Sequence, residues 1–420
     1  MKHFYWLPLI FLATFSILNL PGEAANRRQL EQLLKTGECI KCDLRNANLR
    51  GAELNGANLQ GSDLRGAKLN DLKATRAILE NTKLENADLE NANLSNANLK
   101  SSDLLRAKLI QANLSGTNLS GSNLFMANLK NGNLENAVFN KANLKEANLE
   151  GVNLNGADLT GANLENANLL HADLRAAKIS QETVIDSKWL FVWKVANQTA
   201  GKELAGVDLV GANLQGINLD YANLSGANLE NAALFIVNLR GANLYEVNLT
   251  KAQLTYADLS RANLRGAKLL ETDFRYANLA DTDLRQVNFQ DTKINEGTII
   301  DPKWRLVWEI TNQGGESKDM SQVNLEEAYL SNVNLYRARL SNAKLYGANL
   351  SKTNLQESNL YSSDLKGANL QGANLKGANL AKANLAGANL KAAQMEGANL
   401  KEAYLCRTIM PDGSEHSCEK

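Results

Sequence analysis

The chain has few of the residues that enzymes use for acid–base and nucleophilic chemistry. Only three of its 420 residues are histidines: His3, His171 and His416. His171 is the only one far from both ends, and it falls on an outward position between Leu170 and Ala172. Because serine and cysteine nucleophiles need a neighbouring base, we expect no catalytic residue and no enzymatic activity.

The chain also lacks an excess of charge of either sign. Its 45 lysines and arginines balance its 45 aspartates and glutamates. Nonspecific binding to nucleic acid requires clustered positive charge that neutralises phosphates, and imitation of DNA requires the opposite excess. We therefore expect no nucleic-acid partner.

Long apolar runs are missing except at the N-terminus, where residues 4–20 are predominantly apolar. Lys2 precedes this run, and Pro21-Gly22 and Ala24 follow it. A charged start, a short apolar stretch and a small-residue cleavage site are typical of a secretory signal. We predict cleavage after Ala24 and no membrane span in the exported chain. The alternative is an uncleaved N-terminal membrane anchor.

A leucine recurs at every fifth residue over most of the remaining chain. Alanine usually stands two residues before it, asparagine or aspartate one before it, and often glycine two after it, as in residues 57–61 (ANLQG). A period of five fits neither an α-helix nor a flat strand. The chain must therefore turn a corner once per unit, and four corners close a coil of about 20 residues that stacks in parallel at strand spacing. Phenylalanine replaces the inward leucine at Phe139, Phe274 and Phe289.

These units resemble those of the pentapeptide-repeat family, which read Ala-(Asp/Asn)-Leu-X-X. The resemblance implies an all-β solenoid, a right-handed quadrilateral β-helix, with short capping and inserted helices. The chain looks like the signal-bearing members common in photosynthetic bacteria, which implies export to the periplasm or thylakoid lumen. Some members of the family are DNA mimics that bind gyrase. That is an alternative function, against which the export signal and the zero net charge both argue.

Interruptions of the period divide the sequence into eight segments. We assign residues 1–24 to the signal peptide, 25–42 to an N-terminal capping helix with a C-x-x-C motif, 43–184 to the first repeat array, 185–203 to a first helical insert, 204–299 to the second array, 300–323 to a second helical insert, 324–405 to the third array and 406–420 to a C-terminal cap.

The two inserts are copies of one another, and each is predicted to be a short amphipathic helix. Asp186 and Asp301 are expected as N-caps, and Pro302 occupies a first helical position. The first insert preserves the phase of the repeat, whereas the second shifts it by one residue, so we expect a bend or a restart there. Each insert carries a tryptophan pair that either docks a partner or packs on the edge of the coil: Trp189 and Trp193, then Trp304 and Trp308.

Four cysteines lie in two pairs near the two ends: Cys39 with Cys42, and Cys406 with Cys418. A closed zinc site needs four ligands together, which two pairs at opposite ends of a rod do not supply. In an exported chain we expect two terminal disulfides, Cys39–Cys42 and Cys406–Cys418. Thiol redox chemistry at the C-x-x-C motif is the second alternative function.

One column of the outer surface is unusually apolar. Ile236, Tyr256 and Tyr276 are 20 residues apart, so they share one face of successive coils, and Phe235 adjoins the first. The column either docks a partner or stabilises its own face by stacking.

We conclude from the sequence that this is an exported, non-enzymatic scaffold for protein interaction. It implies an unidentified protein partner and leaves the oligomeric state undefined. We expect no cofactor and no metal. The glycines within the arrays follow the period of five, and asparagine outnumbers aspartate in the columns that a calcium site would use.

Overall fold

The computed structural model describes residues 25–198 and 201–418. The predicted signal peptide lies outside this range. The described chain contains three helices, α1 (Arg27–Thr36), α2 (Ser187–Ala196) and α3 (Pro302–Gln313). Two short strands, β1 (Asn278–Leu279) and β2 (Ile299–Ile300), pair in parallel. Nearly all the rest is a ladder of parallel β-bridges between tight turns.

Bridged residues are almost always 20 apart. The first ladder runs from Glu38↔Asn58 to Asn163↔Val184, and the second begins at Glu203↔Asn223 and ends in β1 and β2. The third runs from Asp319↔Arg339 to Asn389↔Ile409. A constant separation of 20 places four five-residue units in each coil, as the sequence predicts.

Most units contribute two apolar side chains to the interior, and in several others a buried serine or threonine replaces the alanine, as at Ser62 and Thr82. The leucine and the alanine two residues before it are buried along all three ladders, and the three phenylalanines at leucine positions are fully buried. Backbone bonds join neighbouring coils, as from Leu64 N to the Lys83 carbonyl at 2.7 Å. The corner residue has a positive φ, which glycine adopts freely and asparagine tolerates; Gly61 has a φ of 67° and Asn81 of 57°.

Asparagine precedes the leucine for two reasons. Its side-chain oxygen accepts the backbone N–H two residues on, as from Glu150 to Asn148 at 3.2 Å. Its amide donates to the asparagine one coil earlier, so that Asn168 bonds to Asn148 and Asn148 to Asn128. Turn formation and side-chain ladders thus account for these columns.

One unit reverses the usual order of its interior residues. Leu72 occupies the alanine position and Ala74 the leucine position, and both side chains are buried. The unit therefore still supplies one leucine and one alanine to the interior, in exchanged positions.

Helix α1 covers the first coil. The side chain of Asn26 caps its N-terminus by accepting from Arg28 N at 3.2 Å, and Gly37 ends it with a φ of 71°. Leu33 is buried against the coil, and Asn26 N donates to the Asp43 carbonyl at 3.0 Å. The predicted N-terminal capping helix is present.

Helices α2 and α3 begin after Asp186 and Asp301, the expected N-cap positions, and Pro302 is at the start of α3. Neither aspartate makes a side-chain capping bond. Asp186 instead accepts from Asn166 N of the coil below at 3.4 Å. Each aspartate therefore marks the helix start by its extended backbone.

Direct hydrogen bonds join the arrays. His171 N donates to the Gly211 carbonyl at 2.7 Å, and Gln286 N donates to the Glu327 carbonyl at 3.0 Å. The second separation is one residue longer than the first, which is the phase shift seen in the sequence. The ladder restarts at Asp319, five residues before the boundary assigned from the sequence, because Met320 fills an inward leucine position.

The third ladder also continues beyond residue 405, through Ile409. The chain then turns back, and Glu415 pairs antiparallel with Ile409. Arg407 N donates to the His416 carbonyl, and His416 N to the Thr408 carbonyl, both at 2.8 Å. The C-terminal cap is thus a hairpin that pairs with part of the last coil.

Candidate functional site

The apolar column predicted on the second array is present on the surface. The side chains of Ile236, Tyr256 and Tyr276 are 53%, 53% and 50% exposed. The rings of Tyr256 and Tyr276 stack with centroids 4.8 Å apart and planes 4° from parallel. Phe235 meets Tyr256 edge-on, with centroids 5.6 Å apart. We call these four residues the aromatic column.

The aromatic column ends against a glycine. A Cβ atom at Gly297 would lie 2.4 Å from Cδ1 of Tyr276, so only glycine leaves room for that ring. The tyrosine rings are therefore in contact within the column, while about half of each side chain remains exposed. A partner would meet a narrow apolar ridge.

The backbone at Ile236 is unfavourable for its side chain. Its φ is 56°, and among the described residues it is the only β-branched one with a positive φ. Other corners hold mostly glycine, asparagine or unbranched polar residues. A left-handed conformation costs an L-residue about 1–2 kcal/mol, and a β-branched side chain is an outlier there. Because half of this side chain is exposed, burial offsets only part of that cost.

An ion pair lies beside the aromatic column. Asp273 and Arg275 form an ion pair at 2.6 Å beside Tyr276. Burial opposes ionisation of Asp273, but hydrogen bonds from Arg275 outweigh it and hold the pKa of that carboxyl below its ordinary value. The pair is neutral overall, so it adds no net charge beside Tyr276.

The four tryptophans of the two inserts do not form a comparable surface. Trp189 and Trp304 are only 7% and 6% exposed. Trp193 Nε1 donates to the Ala177 carbonyl at 2.8 Å, and Trp308 Nε1 donates to the Thr292 carbonyl at 2.9 Å. These contacts fit the packing interpretation, in which each pair fastens a helix to the end of an array.

An asparagine completes each of these array ends, and sequence reasoning did not assign it a role. The Asn197 side chain accepts from Ala176 N at 2.8 Å and donates to the Leu174 carbonyl at 3.0 Å. Asn312 makes the same two contacts with Asp291 and Phe289. Each side chain satisfies a donor and an acceptor on the edge of a coil. The sequence could have indicated this role, because the asparagine recurs at the same position in both copies of the insert.

Comparison with known proteins agrees with the repeat. A family profile described as pentapeptide repeats matches in eight copies, within residues 42–81, 142–181, 203–234, 237–269, 252–291, 319–356 and 373–410. A second, described as a pentapeptide repeat region, matches residues 82–159. The chain belongs to the pentapeptide repeat family. No curated protein sequence gives a significant match.

Several solved pentapeptide repeat proteins are similar to the chain. One from the thylakoid lumen of Arabidopsis thaliana is 27% identical over 22% of this chain and 66% of its own, with a TM-score of 0.22. HetL, involved in regulating heterocyst differentiation in the cyanobacterium Nostoc, is 25% identical over 92% of this chain and 98% of its own, with a TM-score of 0.15. Rfr23 from the cyanobacterium Cyanothece is 30% identical over 38% and 98%, with a TM-score of 0.17. The family assignment therefore rests on the sequence profiles.

The disulfides of this pentapeptide repeat protein differ in their surroundings. Cys39 and Cys42 are joined, with Cα atoms 5.5 Å apart, and both are buried where the first coil meets α1. Cys406 and Cys418 are joined across the C-terminal hairpin, with Cα atoms 4.3 Å apart, and Cys418 is exposed. The pairing is the one expected from the sequence.

A surface cavity of about 440 Å³ lies beside the C-terminal disulfide. Two cationic side chains and a tyrosine are among the residues that line it: Lys366, Asn384, Ala386, Gly387, Tyr404, Cys406, Arg407 and Cys418. Within residues 25–198 and 201–418 no cluster of three metal-ligating side chains occurs. No helix of the described chain is long and apolar enough to cross a bilayer.

Proposed function

We propose that this pentapeptide repeat protein is an exported, non-enzymatic scaffold that docks a protein partner on the aromatic column. The rod that carries the column is a right-handed quadrilateral β-helix, since the 20-residue parallel ladder fits the β-helix that this family forms. Export places it in the periplasm or the thylakoid lumen, and the N-terminal apolar segment supports this.

The observation that carries the proposal is the conformation of Ile236. A half-exposed β-branched residue at a left-handed corner lowers the stability of the free protein. Strain of this kind is concentrated at functional sites. Burial of Ile236 and of the neighbouring ring edges by a partner would offset the cost, at about 25 cal/mol for each Å² of apolar surface.

Photocrosslinking tests the docking site directly. A benzophenone amino acid at position 256 or 276 should crosslink to one partner in the native exported compartment. Tyr221 is the matched control, because it lies at a left-handed corner of the same array, is 65% exposed and is outside the column. Equal yields from position 221 would show that the column has no special role.

Mature protein beginning at Ala25 would support export, whereas recovery of the intact chain from the cytoplasm would favour the gyrase-binding alternative.

The thiol-redox alternative at Cys39 and Cys42 has little support. Both cysteines are buried, and their disulfide lies between α1 and the first coil. Ser62 Oγ donates to the Cys39 carbonyl at 2.6 Å, and the Cys42 N–H donates to the same hydroxyl at 3.0 Å. Thiol exchange requires access to a sulfur atom, so the contacts favour a structural staple.

A further inference from the structure

The C-terminal disulfide has the surroundings of a reducible bond. Cys418 is exposed and Cys406 is half-buried, in contrast to the buried N-terminal pair. Both cysteines line the 440 Å³ cavity, so its wall includes the disulfide itself. Cavities that hold small molecules start at a few hundred Å³, and this one is large enough for a compact ligand.

The cavity is lined by positive charge. Lys366 and Arg407 both face it, and no carboxylate is among its lining residues. Asp364, which is not a lining residue, lies one coil below Asn384, and its carboxylate accepts a hydrogen bond from the Asn384 side-chain amide at 3.0 Å. Cations beside a cysteine stabilise its thiolate, which is the leaving group when a disulfide is attacked. They also attract an incoming anion.

We infer that the Lys366–Arg407 cavity binds a small thiol that carries a carboxylate or sulfonate, and that this thiol reduces Cys406–Cys418. The thiolate attacks Sγ of the exposed Cys418, which forms a mixed disulfide and releases Cys406 as a thiolate beside Arg407. A second equivalent of the thiol attacks the mixed disulfide, releasing Cys418 and the oxidised thiol dimer. Two thiols are thus oxidised for each disulfide reduced.

Reduction would loosen the C-terminal hairpin while leaving the rod intact. After cleavage, the returning strand is held by three backbone bonds, from Arg407 to His416, from His416 to Thr408 and from Met410 to Ser414. The coils below depend on their own ladder bonds, as from Gly387 N to the Cys406 carbonyl at 2.9 Å. Increased exchange should therefore be confined to amides 407–416.

The test compares thiols of different charge on the oxidised mature protein. Mercaptoethanesulfonate, 2-mercaptoethanol and cysteamine are supplied at equal thiolate concentration and low ionic strength, and products are alkylated and mapped by mass spectrometry. The anionic thiol should reduce Cys406–Cys418 at least about threefold faster than the neutral one, and the cationic thiol should be slowest, with the differences lost in about 0.5 M salt. Cys39–Cys42 should stay oxidised until the chain is unfolded.

Charge-removing variants locate the effect. Lys366→Gln and Arg407→Gln should each lower the preference for the anionic thiol, whereas Lys391→Gln, an exposed lysine outside the cavity, should leave it unchanged. Equal rates for the three thiols, an equal effect of Lys391→Gln, or earlier reduction of Cys39–Cys42 would each overturn the inference. So would retention of the Cys406–Cys418 disulfide after treatment of the folded protein with the anionic thiol. None of these results bears on partner docking at the aromatic column.

Discussion

The reversed unit at residues 72–74 offers the sharpest test of how the interior is built. Leu72 and Ala74 are both buried, and each occupies the position that the other type holds elsewhere. Leu72→Ala leaves two alanines in a unit that normally supplies one leucine. Ala74→Leu supplies two leucines where one fits. The double substitution Leu72→Ala/Ala74→Leu restores the regular order.

The size of each effect follows from volume and transfer energy. Leu72→Ala removes three carbons, worth about 2.4 kcal/mol of transfer free energy, and incomplete collapse of the cavity brings the loss to about 3–4 kcal/mol. Ala74→Leu overpacks the coil and should cost about 1–3 kcal/mol. The double variant should lie within about 1 kcal/mol of the wild type, since volume-conserving exchanges are well tolerated.

Hydrogen exchange is the appropriate assay, because repeat arrays open by segments and a single global unfolding energy is poorly defined for them. The amides to follow are those that join this unit to its neighbours, Lys73 N to the Ala52 carbonyl and Ala74 N to the Asn93 carbonyl. Two results would refute the reasoning: an opening free energy in Leu72→Ala within about 0.5 kcal/mol of the wild type, or a double variant no more stable than Leu72→Ala.

Three further predictions concern the left-handed corner at Ile236, the array end that Asn197 completes, and the contact between the second and third arrays at Gln286. Ile236→Asn should raise the free energy of local opening around residue 236 by about 1 kcal/mol in hydrogen exchange, because asparagine tolerates the left-handed corner, while partner crosslinking falls. Asn197→Ala should cost about 1–3 kcal/mol, since it leaves the Ala176 N–H of the coil edge without its acceptor and removes one of the two donors to the Leu174 carbonyl, with faster exchange near residues 174–176; unchanged exchange would contradict this. Hydrogen bonds from Arg285 hold the pKa of Asp283 below its ordinary value, so this stabilisation is present above the unfolded pKa of about 3.9 and is lost as the pH falls through the lower folded value. Exchange at Gln286 should therefore rise on acidification below about pH 4, and Arg285→Gln should shift that rise to higher pH.

The repeat itself was predictable because a single period determines both the turns and the interior. A leucine every five residues requires a corner in each unit, and the 20-residue ladder is its consequence. The spacing of Tyr256 and Tyr276 predicted that they share a face, and the rings stack. Local periodicity was sufficient for both.

Features that depend on contact between distant segments were harder to predict from the sequence. The sequence indicated a phase shift at the second insert, but not that Met320 would enter the ladder and move the array start to Asp319. The frequent glycine two residues after the leucine indicated which position has a positive φ, but the half exposure of the Ile236 side chain at that corner required the structure. The C-terminal hairpin depends on antiparallel pairing of residues 409 and 415, which no repeat position encodes.

Because the two inserts are copies of one another, contacts found in both copies can be distinguished from features found only once. The two inserts are 115 residues apart, and the contacts that both copies share hold helices to array ends: Trp193 with Trp308, and Asn197 with Asn312. A contact that the fold requires should recur 115 residues away, in the other copy. The aromatic column does not recur, because the residues 115 before Ile236, Tyr256 and Tyr276 are a glycine, a lysine and a glycine.

The glycine, lysine and glycine at the corresponding corners of the first array can be substituted into the aromatic column, because the fold already contains them at such corners. Gly121, Lys141 and Gly161 occupy left-handed corners with φ of 64°, 58° and 67°. The triple change Ile236→Gly/Tyr256→Lys/Tyr276→Gly should therefore preserve the ladder, and hydrogen exchange around these three corners should show no loss of opening free energy beyond that of the stacked rings, about 1 kcal/mol. Partner crosslinking from Thr255 should disappear. A large loss of stability would mean that the column holds its own face together, whereas unchanged crosslinking would mean that the partner binds elsewhere.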